Sequence, residues 1–251
     1  MKIFDFGQLE GGAPYILMEL LGGETLRARL DGLPGRRLPL PQVLSVGRQI
    51  AAALCAAHAA GIAHLDLKPD NLVLLPDELA PGGERVRLFD FGIARLLTEE
   101  PTPAAAVLGT TTYMAPEQIL GGRLSGACDV YALGVLLYEA ISGAPPFAGE
   151  REAVLQRHLF EAPEPLRARR PGAPAALEAL LGQMLDKSAD VRPSMAEVAA
   201  ALQGAEAGLS ATAPQVPAVA VAATEEASVP PRPAGPTAPP PPRRLRALLA
   251  A

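Results

Sequence analysis

Apolar and polar positions change period at a few clear points along the chain, and those points divide it into elements. Residues 2–6 and 14–21 are short apolar runs on either side of the polar, Gly-containing stretch 8–13, a pattern that predicts an antiparallel hairpin. From Pro41 the apolar positions Val43, Val46, Ile50, Leu54 and Ala57 recur at helical spacing. Pro41 suits a first helical turn and Gly61 a left-handed stop. Two further strand-like runs, 71–75 and 85–89, flank a turn containing Pro81, Gly82 and Gly83 and predict a second hairpin. Residues 129–142 are apolar on nearly every face, the mark of a buried central helix, and Gly143 followed by Pro145 and Pro146 ends it. Amphipathic helices follow over 150–160 and 174–187, and Ser194 with Glu197 supplies a capping box for a last one. No internal repeat emerges, and short strands ahead of a run of helices make an α+β chain.

Composition sharpens this picture at the C-terminal end. Of 27 prolines, 10 fall between Pro214 and Pro242, mixed with Ala, Val and Thr. From residue 204 few large side chains remain to offset ordering entropy, so 204–251 reads as a disordered Pro/Ala-rich linker. Its basic end, Arg243, Arg244 and Arg246, has the character of the cytoplasmic flank of a membrane helix. Only five residues follow it, so it reads either as the start of an anchor in a longer product or as a basic tail. No stretch of the chain spans a membrane, and the start has no secretory pattern. The remaining residues, in a chain of 251 that is 49% hydrophobic, suffice for a substantial core. A net charge of -5 argues against electrostatic binding of nucleic acid. The two cysteines, Cys55 and Cys128, lie far apart without metal-ligand spacing, which places the chain in a reducing, cytoplasmic compartment. Arg supplies 19 of the 22 basic residues and Ala is abundant, a composition typical of GC-rich bacterial genomes.

The chemistry concentrates in the stretch His64-Leu65-Asp66-Leu67-Lys68-Pro69-Asp70-Asn71, between a helix and a strand. An Asp, a Lys two residues on and an Asn five residues on form a compact polar loop. Phosphoryl transfer calls for such a set: a carboxylate to take the nucleophile's proton, a cation for the phosphoryl oxygens and an amide oxygen for magnesium. Asp90-Phe91-Gly92 follows 19 residues after Asn71 and closes the second hairpin with another carboxylate suited to magnesium. A third element, Gly109 through Tyr113-Met114-Ala115-Pro116-Glu117, ends 27 residues beyond Asp90. Asp129 lies a further 12 along, and Arg192 lies 75 beyond Glu117.

In this order and spacing the set resembles the C-terminal lobe of eukaryotic-type (Hanks-type) bacterial serine/threonine protein kinases, over about residues 1–203. The resemblance implies a protein kinase-like fold, with remnant N-lobe strands and hinge in 1–21 and a mainly helical C-lobe in 22–203. It implies Asp66 as catalytic base, Lys68 at the γ-phosphate, and Asn71 and Asp90 as magnesium ligands. Thr110 would bridge base and lysine, and with Lys68 it points to Ser/Thr rather than Tyr substrates. ATP would lie along the hinge, with Met18 as gatekeeper, Glu19 and Leu21 bonding adenine through their backbone, and Val73 as pocket floor. His64 and Phe91 would join the internal spine, Asp129 would hold the catalytic-loop backbone, and Glu117 and Arg192 would pair in the helical lobe. The implied partners are ATP, Mg2+ and a protein carrying Ser or Thr, and the implied setting is signalling. Asp5-Phe6-Gly7 spells the same tripeptide as Asp90-Phe91-Gly92 but precedes the hinge, so Asp5 reads as the polar end of a strand entering a turn.

The chain departs from the family pattern in two places. The Gly-rich loop, the strand lysine and the helix glutamate that precede the hinge in a complete kinase have no counterparts, since Lys2 is the sole lysine before Lys68. Three readings are consistent with this: a fragment of an active kinase whose start lies upstream, a catalytically impaired kinase-fold binding or regulatory module, and, remotely, a small-molecule phosphotransferase. The last lacks the Ala-Pro-Glu segment present here. An isolated two-stranded hairpin at 1–21 would also expose apolar surface and open edges. The second departure is Leu65, where the family usually has an Arg that clamps a phosphorylated activation-loop residue. Leucine cannot pair a phosphate, so phosphorylation of the candidates Thr98 and Thr102 is not expected to be the main switch. A Thr98→Ala, Thr102→Ala double variant should therefore match the parent in basal phosphate transfer; loss of transfer in a folded double variant would refute this.

Overall fold

The computed structural model describes residues 3–9, 11–90, 95–96 and 111–212. The chain divides into two units after Ala213, and every described element belongs to the first of them. Strands β1 (Ile3–Gln8) and β2 (Pro14–Met18) pair antiparallel in a sheet of their own, with Asp5 opposite Leu17, Phe6 opposite Ile16 and Gly7 opposite Tyr15. The first hairpin is therefore present, but its second strand ends at Met18 rather than 21. β1 runs on through Asp5, so that this carboxylate sits within the strand, where it accepts from the Tyr15 hydroxyl at 2.9 Å. The sheet leaves Phe4, Phe6, Ile16 and Leu17 exposed, Phe6 by 77%. Two strands without a covering layer cannot bury both faces.

Next come β3 (Glu24–Thr25) and α1 (Leu26–Gly32), a helix that the apolar spacing does not mark. The Thr25 hydroxyl accepts from the Ala28 N–H at 3.1 Å and caps α1, while Leu26 and Leu30 fix its buried side. α2 (Leu40–Ala59) begins one residue before Pro41 and ends where Gly61 turns left-handed. The short β4 (Ile62–Ala63) leads into the polar loop, and β5 (Leu72–Pro76) pairs with β6 (Glu84–Leu88) as the second hairpin. β3 adds to the free edge of β5, with Thr25 opposite Val73, and β7 (Arg95–Leu96) pairs with β4.

The helical body comprises α3 (Pro116–Ile119), α4 (Gly126–Ser142), α5 (Arg151–Phe160), α6 (Leu166–Arg169), α7 (Ala175–Met184) and α8 (Met195–Thr212). α4 is the axis of the core, buried at every position from Cys128 to Ser142. α2, α7 and α8 pack on it. Gly47 lets α2 approach: a Cβ there would lie 2.9 Å from a methyl of Leu137 on α4 and 3.3 Å from one of Leu202 on α8. The capping box forms, with the Glu197 carboxylate accepting from the Ser194 N–H at 2.7 Å and the Ser194 hydroxyl accepting from the Glu197 N–H at 3.3 Å.

α8 continues to Thr212, nine residues past the boundary expected at 203. Gly204 and Gly208 have the look of breakers. The segment nevertheless has no proline before Pro214, is Ala-rich, and packs Ala205 and Leu209 on the core. Ala propensity and that packing outweigh two helical glycines, each worth about 1 kcal/mol. Among the described residues no helix is long and apolar enough to cross a membrane.

One titratable group lies deep in the body. His158 on α5 is fully buried, with Nδ1 2.9 Å from the Tyr131 hydroxyl and its ring edge-on to Phe147 at 5.0 Å. Burial, and then the Lys187 cation, push this imidazole from 6.5 down to about 4, against a weaker pull from the Thr112 backbone. Because the folded value is depressed, the unfolded chain takes up a proton at His158 below about pH 6.5 that the folded chain refuses until about pH 4. Stability from this position is therefore complete above that window and lost as pH falls through it. In urea unfolding, His158→Leu should show a flatter decline than the parent between those limits.

Candidate active site

The polar loop is built around one carboxylate. Ser125 caps α4, its hydroxyl accepting from the Ala127 N–H at 3.2 Å, and this sets Asp129 in the first turn, fully buried. Asp129 Oδ2 accepts from the His64 backbone N–H and Oδ1 from that of Leu65, both at 2.8 Å. His58, near the end of α2, brings its Nε2 to 2.8 Å from Oδ2. Gln118 of α3 holds the same loop from another side, donating to the Leu65 carbonyl at 2.9 Å and accepting from the Ala115 N–H at 2.9 Å. Leu65 has φ +64°, a left-handed conformation that costs a leucine strain, and these bonds hold it there.

The turn at Leu65 delivers Asp66, Lys68 and Asn71 to one place. Lys68 Nζ lies 2.6 Å from Asp66 Oδ2. The Asn71 amide donates to the Asp66 carbonyl at 2.9 Å and to Oδ2 at 3.2 Å, which leaves its carbonyl oxygen as the atom suited to a cation. Asn71 stands in a 3-10 turn (Pro69–Asn71) rather than at the head of the strand. The Phe89 N–H donates to the Asn71 backbone carbonyl at 3.1 Å, so Asp90 follows one residue beyond a direct main-chain link to Asn71. Asp90 is exposed and left-handed at φ +58°. An amide oxygen and one carboxylate suit magnesium, which keeps several waters and takes further oxygens from phosphates. Among the described residues no cluster of three or more His, Cys, Asp or Glu forms an all-protein metal cage.

The residues expected to border the nucleotide differ in exposure. Val73 is buried on β5, and a Cβ on Gly23 would lie 2.9 Å from its Cγ1, so it backs the segment that follows Leu21. Met18 ends β2 and is 39% exposed; Glu19 and Leu21 lie in the connection to β3. His64 is fully buried with Nε2 3.3 Å from the Phe89 carbonyl. Thr110, Phe91, Thr98 and Thr102 lie outside the described residues.

Two charged clusters brace the helical body around the loop. Arg192 makes a two-pronged pair with Glu117, at 2.7 and 2.8 Å, and also donates to the Ala127 and Asp186 carbonyls. Cys128 donates to Glu117 at 3.2 Å, and burial followed by that carboxylate raises its thiol out of the reactive range. The second group is one that sequence reasoning missed. Arg27 of α1 donates to Glu139 at 2.9 Å and to the Tyr113 hydroxyl at 2.6 Å, Tyr113 donates to Glu139 at 2.5 Å, and Asp70 lies 3.9 Å from Arg27. Burial, then the Glu139 charge, pushes the Tyr113 phenol well above its ordinary value and keeps it a donor. A signal for this cluster was available, since Glu139 and Asp129 are the two charged residues of a largely apolar helix and a buried carboxylate requires a partner. Gln118 and His58 carried no comparable signal.

A helical body bearing an Asp-Lys-Asn loop, a neighbouring Asp and an Ala-Pro-Glu segment paired to a distant Arg defines a kinase-type phosphotransfer domain. The family profile described as "Protein kinase domain" matches residues 2–202, and the chain belongs to that family. Similar relatives include the serine/threonine-protein kinase pkn3 of Myxococcus xanthus, 38% identical over 78% of this chain and 37% of that protein. Serine/threonine-protein kinase PkaB of Streptomyces coelicolor is 40% identical over 78% of this chain and 46% of that protein. Serine/threonine-protein kinase PknA of Mycobacterium tuberculosis is 42% identical over 66% of this chain and 38% of that protein. The chain thus spans less than half the length of these relatives. Proteins of this family use ATP and Mg2+.

The dependence of the loop on Asp129 has a measurable consequence. Asp129→Ala strands the His64 and Leu65 N–H groups in a buried site, at about 1–3 kcal/mol each, and should lower stability in urea unfolding by their sum. Asp129→Asn keeps one acceptor oxygen and should lose less; equal stability of the alanine variant and the parent would contradict this role.

Proposed function

We propose that this chain carries the catalytic C-lobe of a serine/threonine protein kinase and transfers the γ-phosphate of ATP to Ser or Thr hydroxyls of proteins. The observation that supports this reading best is the junction of Asp66, Lys68 and Asn71 on a loop hung from Asp129, with Asp90 one residue past a backbone bond to Asn71.

Asp66 is the residue to accept the substrate hydroxyl's proton, and the Asn71 amide at 3.2 Å orients its carboxylate. Lys68 sits close enough to share its charge between that carboxylate and an incoming phosphoryl oxygen. Asn71 and Asp90 are the residues to hold magnesium, which when bound neutralises charge on the phosphates. Met18, Glu19, Leu21 and Val73 would border the adenine. Thr110, with Lys68, favours Ser/Thr acceptors through the family resemblance. The Tyr113–Glu117 segment, held by Glu139 and Arg192, supports a peptide rather than a small molecule as acceptor.

The test is phosphate transfer from ATP with magnesium to a generic basic protein, comparing the parent with Asp66→Asn. Loss of the base should lower the rate by about a hundredfold or more while nucleotide binding persists. Transfer that is unchanged in Asp66→Asn would overturn the assignment. Binding of ATP without any Asp66-dependent transfer would overturn it in favour of a nucleotide-binding module.

A further inference from the structure

Burial obliges an arginine to find a charge partner, and among the described residues Arg27, Arg29, Arg48, Arg169 and Arg192 each pair with a carboxylate. Arg170, half-buried just past α6, pairs with none among them. Its Nη1 donates instead to the carbonyls of Leu38 and Ile141, both at 2.9 Å. Arg37, exposed on the connection between α1 and α2, takes the next carbonyl of α4, its Nε donating to Ser142 at 2.8 Å. Two guanidinium groups are thus anchored on consecutive carbonyls at the end of α4. The carboxylates nearest to them in sequence are engaged elsewhere, Asp31 with Arg36 and Glu164 with Arg169.

The anchoring bonds leave each guanidinium a free fork. The group has five N–H donors in one plane. Arg37 uses Nε–H and keeps both terminal nitrogens, an end-on pair of donors. Arg170 uses Nη1 for its two bonds and keeps Nε and Nη2, a side-on pair. The connection that carries Arg37 is itself fixed on α4, since the Leu38 N–H donates to the Ala140 carbonyl at 2.9 Å. Gly143, left-handed at φ +90°, permits that approach: a Cβ there would lie 2.1 Å from the Gly35 carbonyl oxygen and 3.1 Å from Arg37 Cγ. Both cations are therefore positioned before a ligand arrives, which lowers the entropic cost of binding one. Burial, and then the Arg37 charge, hold the Arg170 guanidinium below its ordinary value, and an anion between the two would relieve that repulsion.

We propose that Arg37 and Arg170 form a binding site for a phosphate monoester, the group that a phosphorylated serine or threonine presents. Two positive charges and two donor forks suit a dianion with three terminal oxygens. A carboxylate, with one charge and two oxygens, is filled by a single fork. The site is remote from the catalytic loop. Asp129 stands in the first turn of α4 and Ser142 at its last residue, which separates them by about 20 Å along the helix axis. A phosphate held at Arg37 and Arg170 leaves Asp66 and Lys68 free, so the site recruits a phosphorylated molecule without occupying the transfer site, and its affinity does not rest on the catalytic reading.

The test is fluorescence anisotropy of the full chain with a labelled Gly/Ala peptide carrying one phosphoserine, beside its unphosphorylated form and with free phosphoserine as competitor. The phosphopeptide should bind roughly tenfold or more tightly than the unphosphorylated peptide, as charge-assisted bonds to two guanidinium groups require. Arg37→Gln and Arg170→Gln should each lose most of that difference, with urea unfolding confirming that each variant is folded. Arg123→Gln, which removes an exposed cation just ahead of the opposite end of α4, should keep it. Competition by free phosphoserine as strong as by the phosphopeptide would assign the site to small phosphate monoesters, and weaker competition would assign it to phosphorylated proteins. Equal binding of the two peptides, a difference that survives both Arg37→Gln and Arg170→Gln, or one that falls as far in Arg123→Gln, would overturn the proposal.

Discussion

Asp129 is the constraint from which the candidate site hangs. A carboxylate with no solvent contact is tolerable only if its oxygens are fully engaged, and here they take two backbone N–H groups and the His58 ring. The cost of burying the charge thereby becomes a tether: the N–H groups of His64 and Leu65 cannot leave without stranding it. That tether holds Leu65 left-handed, and the left-handed turn brings Asp66 round to Lys68 and Asn71. α4 itself is fixed by its buried length against α2, α7 and α8, so the loop inherits the rigidity of the core.

The other buried charges extend the same logic outward. Glu117 with Arg192, and Arg27 with Glu139 and Tyr113, each join elements far apart in the chain through two-pronged bonds. Such pairs gain little net stability over well-packed apolar residues, because desolvation offsets most of the attraction. Breaking one is costly, so what they fix is arrangement: the Tyr113–Glu117 segment has one seat, between α4 and the Arg192 turn. Asp70, 3.9 Å from Arg27, places the polar loop at the edge of the same network.

The β1–β2 sheet obeys a different balance. Phe4, Phe6, Ile16 and Leu17 stand exposed on a two-stranded hairpin, a large apolar area for so few residues. In the helical body, by contrast, α4 is buried at every position from Cys128 to Ser142. Thr25, beyond β2, pairs into the body opposite Val73, whereas among the described residues β1 and β2 pair with each other alone.

Much of this was legible in the sequence, for physical reasons. Periodicity marked α2, α4, α5, α7, the capped start of α8 and both hairpins, because burial of one face or all faces dictates residue type locally. The meeting of Asp66, Lys68 and Asn71 was legible because the three lie within six consecutive residues, where one turn brings them together. Glu117, Arg192 and Asp129 were legible only through resemblance, since partners 75 residues apart leave no local pattern. α1 was missed because seven residues are too short to show a period. The end of α8 was misjudged because glycines were weighed without the contacts of Ala205 and Leu209. Tertiary structure alone decided that Arg27 meets Glu139 and Tyr113, that Gln118 and His58 brace the loop, and that Arg37 and Arg170 converge on the end of α4. Those outcomes depend on which helices approach one another, and that is settled by packing across the whole core rather than by any single stretch of chain.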